Sequence, residues 1–181
     1  REGLEVINSQ VKNLTAFLDS YHRLTHLPEP EYKTVSVPAL FTKLERLLQA
    51  EPRSERVVYC DGKADRSTGK ELQVYGDANL LTLALINLIR NALQAVEGQE
   101  DGIVRVDTCA GATGHLLIII TDNGPGIPPE RLSAIFTPFF STKSGGSGIG
   151  LPISQRIMQL HGGQLSVSSI PNVRTEFRME F

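Results

Sequence analysis

Three amide side chains lie at helical spacing in a mostly apolar stretch of the sequence. Asn87, Asn91 and Gln94 fall within residues 79–96, and at 100° per residue they lie within about 60° of one another on a helix. A buried amide without a partner costs roughly 1–3 kcal/mol, so such a stripe requires something to bind. Amide oxygens can be ligands for Mg²⁺. Capping of neighbouring backbone groups, or exposure to water, is the alternative.

An aspartate follows the most hydrophobic predicted strand. Asp122 comes directly after residues 115–121, and Gly124 and Gly126 follow it. A carboxylate at the end of a central strand lies at the mouth of the fold, where it can accept hydrogen bonds from N–H groups of a ligand. The two glycines would let a flat ring approach the backbone closely. A plain tight turn is the alternative, because Asn-Gly-Pro-Gly is a strong turn sequence.

A glycine-rich stretch at residues 145–151 leads into a predicted helix. Backbone N–H groups at such a helix start bind anions, and the helix dipole reinforces them. Thr142 and Lys143 precede the stretch and would add a hydroxyl and a positive charge for a phosphate. It is not a Walker loop, since no lysine follows the last glycine, and a flexible linker is the alternative. Together with the amide stripe and Asp122, it predicts a purine nucleotide site with Mg²⁺.

The segments that position these residues alternate between strand and helix patterns. The predicted strands cover residues 34–37, 56–60, 72–75, 103–108, 115–121, 164–168 and 175–181. The predicted helices cover residues 38–48, 77–96, 129–136 and 149–160, with Asp77 as the N-cap of the second. Polar or glycine-rich turns at 61–69 and 111–114 separate strands. The sum is an α+β fold, a two-layer α/β sandwich with helices covering one face of a mostly antiparallel sheet.

Residues 1–27 carry a separate pattern. Apolar residues alternate at spacings of three and four, which predicts a coiled coil or helical bundle that needs a partner; a surface helix docked on the following domain is the alternative. Residues 28–30, Pro-Glu-Pro, predict a stiff linker. The chain starts at Arg1 rather than a methionine, so we expect a piece of a longer protein.

Composition excludes several classes of protein. The 181 residues carry a net charge of −2 and are 40% hydrophobic, which argues against disorder and against a nucleic-acid partner bound through phosphates. The two cysteines lack CxxC spacing and predict neither a disulfide scaffold nor a zinc site. No apolar run approaches the ~18 residues that span a bilayer. We expect a cytoplasmic domain.

Four motifs resemble those of two-component sensor histidine kinases, in that family's order. Residues 87–95 resemble the N box, 122–127 the first glycine box, 136–140 the F box and 146–151 the second glycine box. The resemblance implies a Bergerat-type ATP-binding catalytic domain over residues 31–181. Residues 1–30 then resemble the second helix of the dimerisation and phosphoacceptor hairpin with its proline linker, of the nitrogen-regulation type.

The resemblance also implies roles for the matching residues. Asn91, with Asn87 beside it, would hold Mg²⁺ on the phosphates of ATP, and Asp122 would bind the adenine amino group. Residues 136–144 would form a mobile lid whose Phe139 or Phe140 packs on the domain and whose Lys143 reaches phosphate. The implied ATP contacts are Asn87, Asn91, Gln94, Asp122, Gly124, Gly126, Ile127, Phe136, Thr142, Lys143, Gly146, Ser147, Gly148, Ile149, Gly150, Leu151 and Thr175. Asn87 and Lys143 are the implied catalytic residues and Asn91 the implied metal ligand.

The implied activity is transfer of the γ-phosphoryl group of ATP to a histidine, and onward to an aspartate of a response-regulator protein. The hairpin helices would form a homodimer, and the parent protein could be anchored in the inner membrane. None of the four histidines is followed by an acidic residue, so the phosphoacceptor histidine has no match in this sequence. Two other departures are Asn-Val-Arg-Thr at 172–175, in place of Gly-x-Gly-Thr, and Gln94 where many relatives have a basic residue.

Two alternative functions remain open at this stage. One is a pseudokinase or nucleotide-responsive interaction module that no longer catalyses transfer. The other is a Bergerat-fold ATPase of the gyrase, chaperone or mismatch-repair type. Those ATPases carry a glutamate general base where this sequence has Asn87, and a neutral amide cannot take that proton.

Overall fold

The computed structural model describes residues 26–60, 71–110, 115–141 and 147–181, together with the helical residues Val11, Thr15, Leu18 and His22. The predicted heptad pattern of residues 1–27 therefore lies almost wholly outside the described residues. The turns predicted at 61–69 and 111–114 lie outside them too, as do Thr142, Lys143 and Gly146.

Strands and helices alternate along the chain much as the sequence predicts. The strands are β1 (Lys33–Ser36), β2 (Val57–Tyr59), β3 (Gln73–Gly76), β4 (Val104–Ala110), β5 (Leu116–Asp122), β6 (Gln164–Ile170) and β7 (Arg174–Glu180). The helices are α1 (Val37–Leu48), α2 (Ala78–Ala95), α3 (Pro129–Leu132) and α4 (Gly150–Leu160), with a 3-10 turn at Ser54–Arg56. Helix α3 ends four residues earlier than the predicted 129–136.

The main sheet has five strands in the order β2-β4-β5-β7-β6. Strand β2 runs parallel to β4, and the other neighbours are antiparallel. The strands on either side of residues 61–69 do not pair with each other, because β3 instead pairs with β1 in a separate two-stranded antiparallel sheet. The predicted mixed, mostly antiparallel sheet is confirmed.

The core lies between one face of this sheet and the helices. Along each central strand, buried residues alternate with exposed or half-buried ones, as expected for a sheet covered on one face. The buried strand residues include Val104, Val106, Ile118, Ile120, Phe177 and Met179, and helix α2 adds Leu81, Leu85, Leu88 and Ile89. The predicted two-layer sandwich is therefore confirmed. Within the described ranges, no helix combines the length and apolarity needed to cross a membrane.

Both long helices of the first half begin with the caps that their sequences favour. Ser36 precedes α1, and its hydroxyl accepts a hydrogen bond from the Ala39 N–H at 3.2 Å, with Pro38 in the first turn. Asp77 precedes α2, and its Oδ1 accepts from the N–H groups of Asn79 and Leu80 at 2.8 and 3.1 Å. These bonds satisfy backbone donors that a helix start leaves unpaired.

Residues 31 and 32, which precede β1, are hydrogen-bonded near the start of α2. The Glu31 N–H donates to Oδ2 of Asp77 at 2.8 Å, and the Tyr32 hydroxyl donates to the carbonyl of Leu160, the last residue of α4. The Asp77 N–H in turn donates to Nε2 of His161 at 2.9 Å. Residues 31–32 are thus bound to the first turn of α2 and the last turn of α4.

The Asp77 carboxyl is held in its charged form by these bonds. Burial raises its pKa, but hydrogen bonds from the N–H groups of Glu31, Leu80 and Asn79, with the nearby His161, lower it further than burial raises it. The net pKa lies below the ordinary value of an aspartate. The charged form is the one that accepts all three N–H groups, so this junction is intact at neutral pH.

Replacing Tyr59 with phenylalanine should stabilise the domain by about 1 kcal/mol. The Tyr59 hydroxyl is buried without a hydrogen-bond partner among the described residues, and its ring packs beside Phe41. Burial, and secondarily the charge of Glu45, raise the pKa of Tyr59 to about 12. The unfolded chain releases this proton near pH 10, so the stability of the wild type should fall as pH rises from 10 towards 12. Urea denaturation between pH 7 and 11 measures both effects.

The matched control is Tyr75→Phe, since the Tyr75 side chain is 69% exposed. Removing the Tyr75 hydroxyl should leave the loss of stability above pH 10 unchanged. Parallel losses in wild type and Tyr59→Phe above pH 10 would contradict the argument, because they would show that another group titrates.

Candidate functional site

A cavity of about 470 Å³ opens between helix α2, the loop after β5 and the start of α4. Eleven of the predicted site residues line it. These are Asn87, Asn91, Gln94, Asp122, Gly126, Ile127, Ser147, Gly148, Gly150, Leu151 and Thr175. Three separate sequence motifs and the last strand therefore converge on one space.

The amide stripe of α2 forms one wall of the cavity. Asn87 is half-buried, and its Nδ2 donates to the Gly150 carbonyl at 3.3 Å, which ties α2 to the first residue of α4. Arg90 lies on the same wall and forms an ion pair with Glu51. Its Nε donates to Oε1 of Glu51 at 3.0 Å. Sequence reasoning missed Arg90, although its i+3 spacing from Asn87 places it on the same helix face.

The floor of the cavity is polar and deeply buried. Asp122 at the end of β5 and Thr175 on β7 are each 3% exposed and are direct partners in the strand register. Oδ1 of Asp122 accepts the N–H of Gly124 at 3.0 Å. A ligand that reaches this floor displaces water from a carboxylate, so it has to supply N–H or O–H donors in return.

The two glycines after Asp122 have different positions. Gly126 lines the cavity with a φ of +75°, and a Cβ there would lie 2.8 Å from the Ile170 carbonyl oxygen. Gly124 is buried, and a Cβ there would lie 2.7 Å from Asp122 Oδ1 and 3.0 Å from the Cβ of Ala95. The structure places Gly124 behind the cavity wall, where it allows the β5 end to pack under α2, and not among the lining residues.

The glycine-rich loop turns into α4 at the cavity. Gly148 has a φ of +65° and its carbonyl accepts the Phe139 N–H at 3.0 Å, while a Cβ would lie 2.6 Å from the Phe139 backbone. Ile149, predicted as a contact, is buried in the core at the N-cap position and does not line the cavity. Its side chain makes no cap hydrogen bond, and since Pro152 has no N–H, Gly150 and Leu151 carry the backbone donors at the start of α4.

The aromatic residues between positions 136 and 140 differ in their burial. Phe136 and Phe140 both pack against the core, but only Phe140 lines the cavity. Phe139 is exposed, with a φ of +65° that is rare for a bulky residue. The implied contact of Phe136 is therefore not found on the cavity surface.

Several lining residues were not among the predicted contacts. They are Arg90, Ala95, Pro125, Pro128, Arg131, Ile135, Phe140, Ser141 and Phe177. Ile135 and Phe177 reach the cavity from a turn after α3 and from the last strand, so only the folded chain brings them together. Their apolar side chains give the cavity walls on which a flat ring can stack.

The donor set fits a metal ion that arrives together with an anionic ligand. Asn87 and Asn91 offer amide oxygens on adjacent turns of α2. In the part of the chain that the structure describes, no three His, Cys, Asp or Glu side chains gather to hold a metal. Mg²⁺ normally binds few protein oxygens and completes its shell with waters and phosphates.

Comparison with known proteins places the chain in a family. Residues 76–181 match the model of the family described as histidine kinase-, DNA gyrase B-, and HSP90-like ATPase. The sensor histidine kinase ZraS of Salmonella typhimurium is 42% identical over 98 residues, covering 54% of this chain and 21% of that protein. The sensory histidine kinase/phosphatase NtrB of Vibrio alginolyticus is 33% identical over 184 residues, covering 96% of this chain and 50% of that protein. The chain thus spans half or less of these relatives.

Solved structures agree with this placement. The catalytic domain of histidine kinase ThkA superimposes with a TM-score of 0.67 at 27% identity, over 83% of this chain and 95% of that one. ThkA in complex with response regulator protein TrrA matches at 23% identity with a TM-score of 0.70, over 99% of this chain and 51% of that one, which shows the fold alone. The chain belongs to the histidine kinase-, DNA gyrase B- and HSP90-like ATPase family, and its globular part is an ATP-binding catalytic domain of the sensor histidine kinase type.

Proposed function

We propose that the cavity binds ATP with Mg²⁺ and that the full-length protein transfers the γ-phosphoryl group to a histidine on another segment. That histidine then passes the group to an aspartate of a response-regulator receiver protein. The observation that carries the proposal is the convergence of Asp122, the α2 amides and the start of α4 on one cavity. Each supplies what one part of a nucleotide needs.

The base fits at the floor and the phosphates at the loop. Asp122 and Thr175 offer buried acceptors for the amino group of adenine, and Ile127 with Phe177 provides an apolar wall. Ser147–Gly148 and the first N–H groups of α4 face the other end of the cavity, where the helix dipole favours negative charge. Thr142, Lys143 and Gly146 are proposed to complete the phosphate contacts.

Asn91 and Asn87 are the residues proposed to hold the metal. Mg²⁺ bound there would neutralise charge on the phosphate oxygens during transfer. The Nδ2 of Asn87 is already bonded to Gly150, which directs its oxygen as an acceptor. Gln94, one turn further along, is proposed as a neutral phosphate contact.

Transfer to a protein side chain is favoured over hydrolysis by water. Among the described residues that line the cavity, Asp122 is the one carboxylate, and it lies at the floor with the proposed base. Asn87 cannot accept a proton from water at neutral pH, so its catalytic role would be to position the phosphates. A gyrase-type ATPase would need a general base at this wall.

Residues 1–30 are proposed as the second helix of a dimerisation and phosphoacceptor hairpin, with residues 31–181 as the catalytic domain. The relative NtrB aligns over 96% of the chain, including most of this segment. A homodimer through such hairpins and a response regulator as partner follow from the proposal. The ThkA–TrrA complex is a structure of one histidine kinase with its regulator.

Calorimetric titration of this chain with a non-hydrolysable ATP analogue and Mg²⁺ tests the proposal. We expect a Kd in the micromolar range, about −8 kcal/mol. A folded sample that takes up no nucleotide at 1 mM, about −4 kcal/mol, would sink the proposal in favour of an interaction module.

A further inference from the structure

The hydroxyl of Ser169 on β6 meets three polar groups at once. Its Oγ accepts the N–H of Ile127 at 2.8 Å, and it lies 3.1 Å from both the Arg174 carbonyl oxygen and Oγ1 of Thr175. The strand register explains the last contact, because Ser169 pairs with Thr175 and Thr175 pairs with Asp122. Three polar side chains therefore form a row across β6, β7 and β5, and the row ends at the cavity floor.

Counting protons fixes the direction of these bonds. A carbonyl oxygen can only accept, so the contact with Arg174 uses the single proton of the Ser169 hydroxyl. The bond between the two hydroxyls must then use the proton of Thr175. In this arrangement Ser169 Oγ accepts twice and donates once, which uses its one proton and both of its lone pairs.

The consequence lies in what Thr175 presents to the cavity. With its proton directed at Ser169, Oγ1 of Thr175 offers only lone pairs, beside the carboxylate of Asp122. A ligand group placed between Asp122 and Thr175 meets an acceptor oxygen from each of them. At that position the amino group of a 6-amino purine is satisfied, whereas the oxygen of a 6-oxo purine leaves buried acceptors facing one another.

We propose that Ser169 is a specificity-determining positioning residue, which turns the Thr175 proton away from the cavity and so selects a 6-amino purine over a 6-oxo purine. The inference rests on the proposed function, since it takes the base to lie at Asp122 and Thr175. The same hydroxyl anchors the loop of Gly126 through Ile127, and the Asn172 N–H adds a second anchor on Pro125 at 2.8 Å.

Paired titrations with ATP and ITP test the role of Ser169. The two nucleotides differ at the purine 6 position, amino in one and oxo with a protonated N1 in the other. For the wild type we expect ATP to bind about 100-fold more tightly than ITP. In Ser169→Ala the Thr175 proton is free to donate to the oxo group, so this ratio should fall about tenfold. Ser169→Thr keeps the hydroxyl and should restore the ratio.

A matched control is Ser168→Ala, on the same strand but exposed, which should leave the ratio unchanged. If Ser169→Ala does not fold, Ser169→Cys serves instead, since a thiol is a weak donor and acceptor. A variant that weakens ATP and ITP equally would overturn the inference and leave Ser169 as a loop anchor. Wild type that binds neither nucleotide would contradict the proposed function itself, so the two failures are distinguishable.

Discussion

Replacing Asp122 with asparagine is expected to weaken binding of ATP at least 100-fold while leaving the domain folded. Asp122 is 3% exposed, and removing one partner of a buried charged hydrogen bond costs about 2–5 kcal/mol. The new amide would point N–H donors at the donor groups of the adenine. Its oxygen can still accept the Gly124 N–H that Oδ1 accepts now. Calorimetry with the non-hydrolysable analogue measures the loss, and thermal denaturation checks the fold.

Asp107→Asn is the matched control for this change. Asp107 lies half-buried on the neighbouring strand β4, 3.9 Å from Arg105 and away from the cavity. Its substitution should leave ATP affinity within about twofold of wild type, because Asp107 is not among the residues that line the cavity. If Asp122→Asn bound ATP as tightly as this control, the base would have to be bound elsewhere.

Replacing Asn91 with alanine should remove the gain in ATP affinity that Mg²⁺ provides. In the wild type we expect Mg²⁺ to tighten binding, because the amide oxygens of α2 and the phosphates would share the ion. Loss of a group that supports a metal typically costs about 10- to 100-fold in affinity for the metal. The measurement is the ratio of the Kd in EDTA to the Kd in Mg²⁺ for each protein.

Asn79→Ala is the control, since Asn79 is an exposed asparagine at the opposite end of the same helix. It should retain the full Mg²⁺ effect. An Asn91→Ala protein whose Kd weakened equally with and without Mg²⁺ would show that Asn91 contacts the nucleotide directly and holds no metal.

Short sequence patterns predicted the helix starts, because these depend on residues that are close together in the chain. Pro38 lies in the first turn of one helix, and Asp77 caps the other by accepting hydrogen bonds from Asn79 and Leu80. Strand partners were beyond such reasoning. The short apolar run of residues 57–59 is compatible with a hairpin with β3 as well as with the observed parallel pairing with β4.

In the candidate site too, local sequence patterns predicted some of the residues and could not predict others. The helical period places Asn87, Asn91 and Gln94 on one wall, and the structure agrees. Gly124 and Gly126 look alike in sequence, yet one is required by packing against Ala95 and the other lines the cavity. Ser169 gave no signal at all, because its contacts with Ile127 and Thr175 come from the register of two strands.

The structure also explains how the altered segment at 172–175 keeps its shape. Asn172 has a φ of +57°, a left-handed conformation that glycine adopts most readily and that asparagine tolerates better than most residues. The Asn172 N–H donates a hydrogen bond to the carbonyl oxygen of Pro125 at 2.8 Å. This hydrogen bond joins the turn between β6 and β7 to the loop that carries Gly126.

The hydrogen bonds of Glu31 and Tyr32 join the incoming chain to helices α2 and α4. Helix α2 begins at this junction and reaches the cavity at Asn87, about 15 Å further along at 1.5 Å per residue, whereas α4 begins at the cavity and ends at the junction. Helices α2 and α4 thus connect the point where the chain arrives with two walls of the cavity. A force on the chain before residue 31 would therefore act on both helices at the ends that lie away from the cavity.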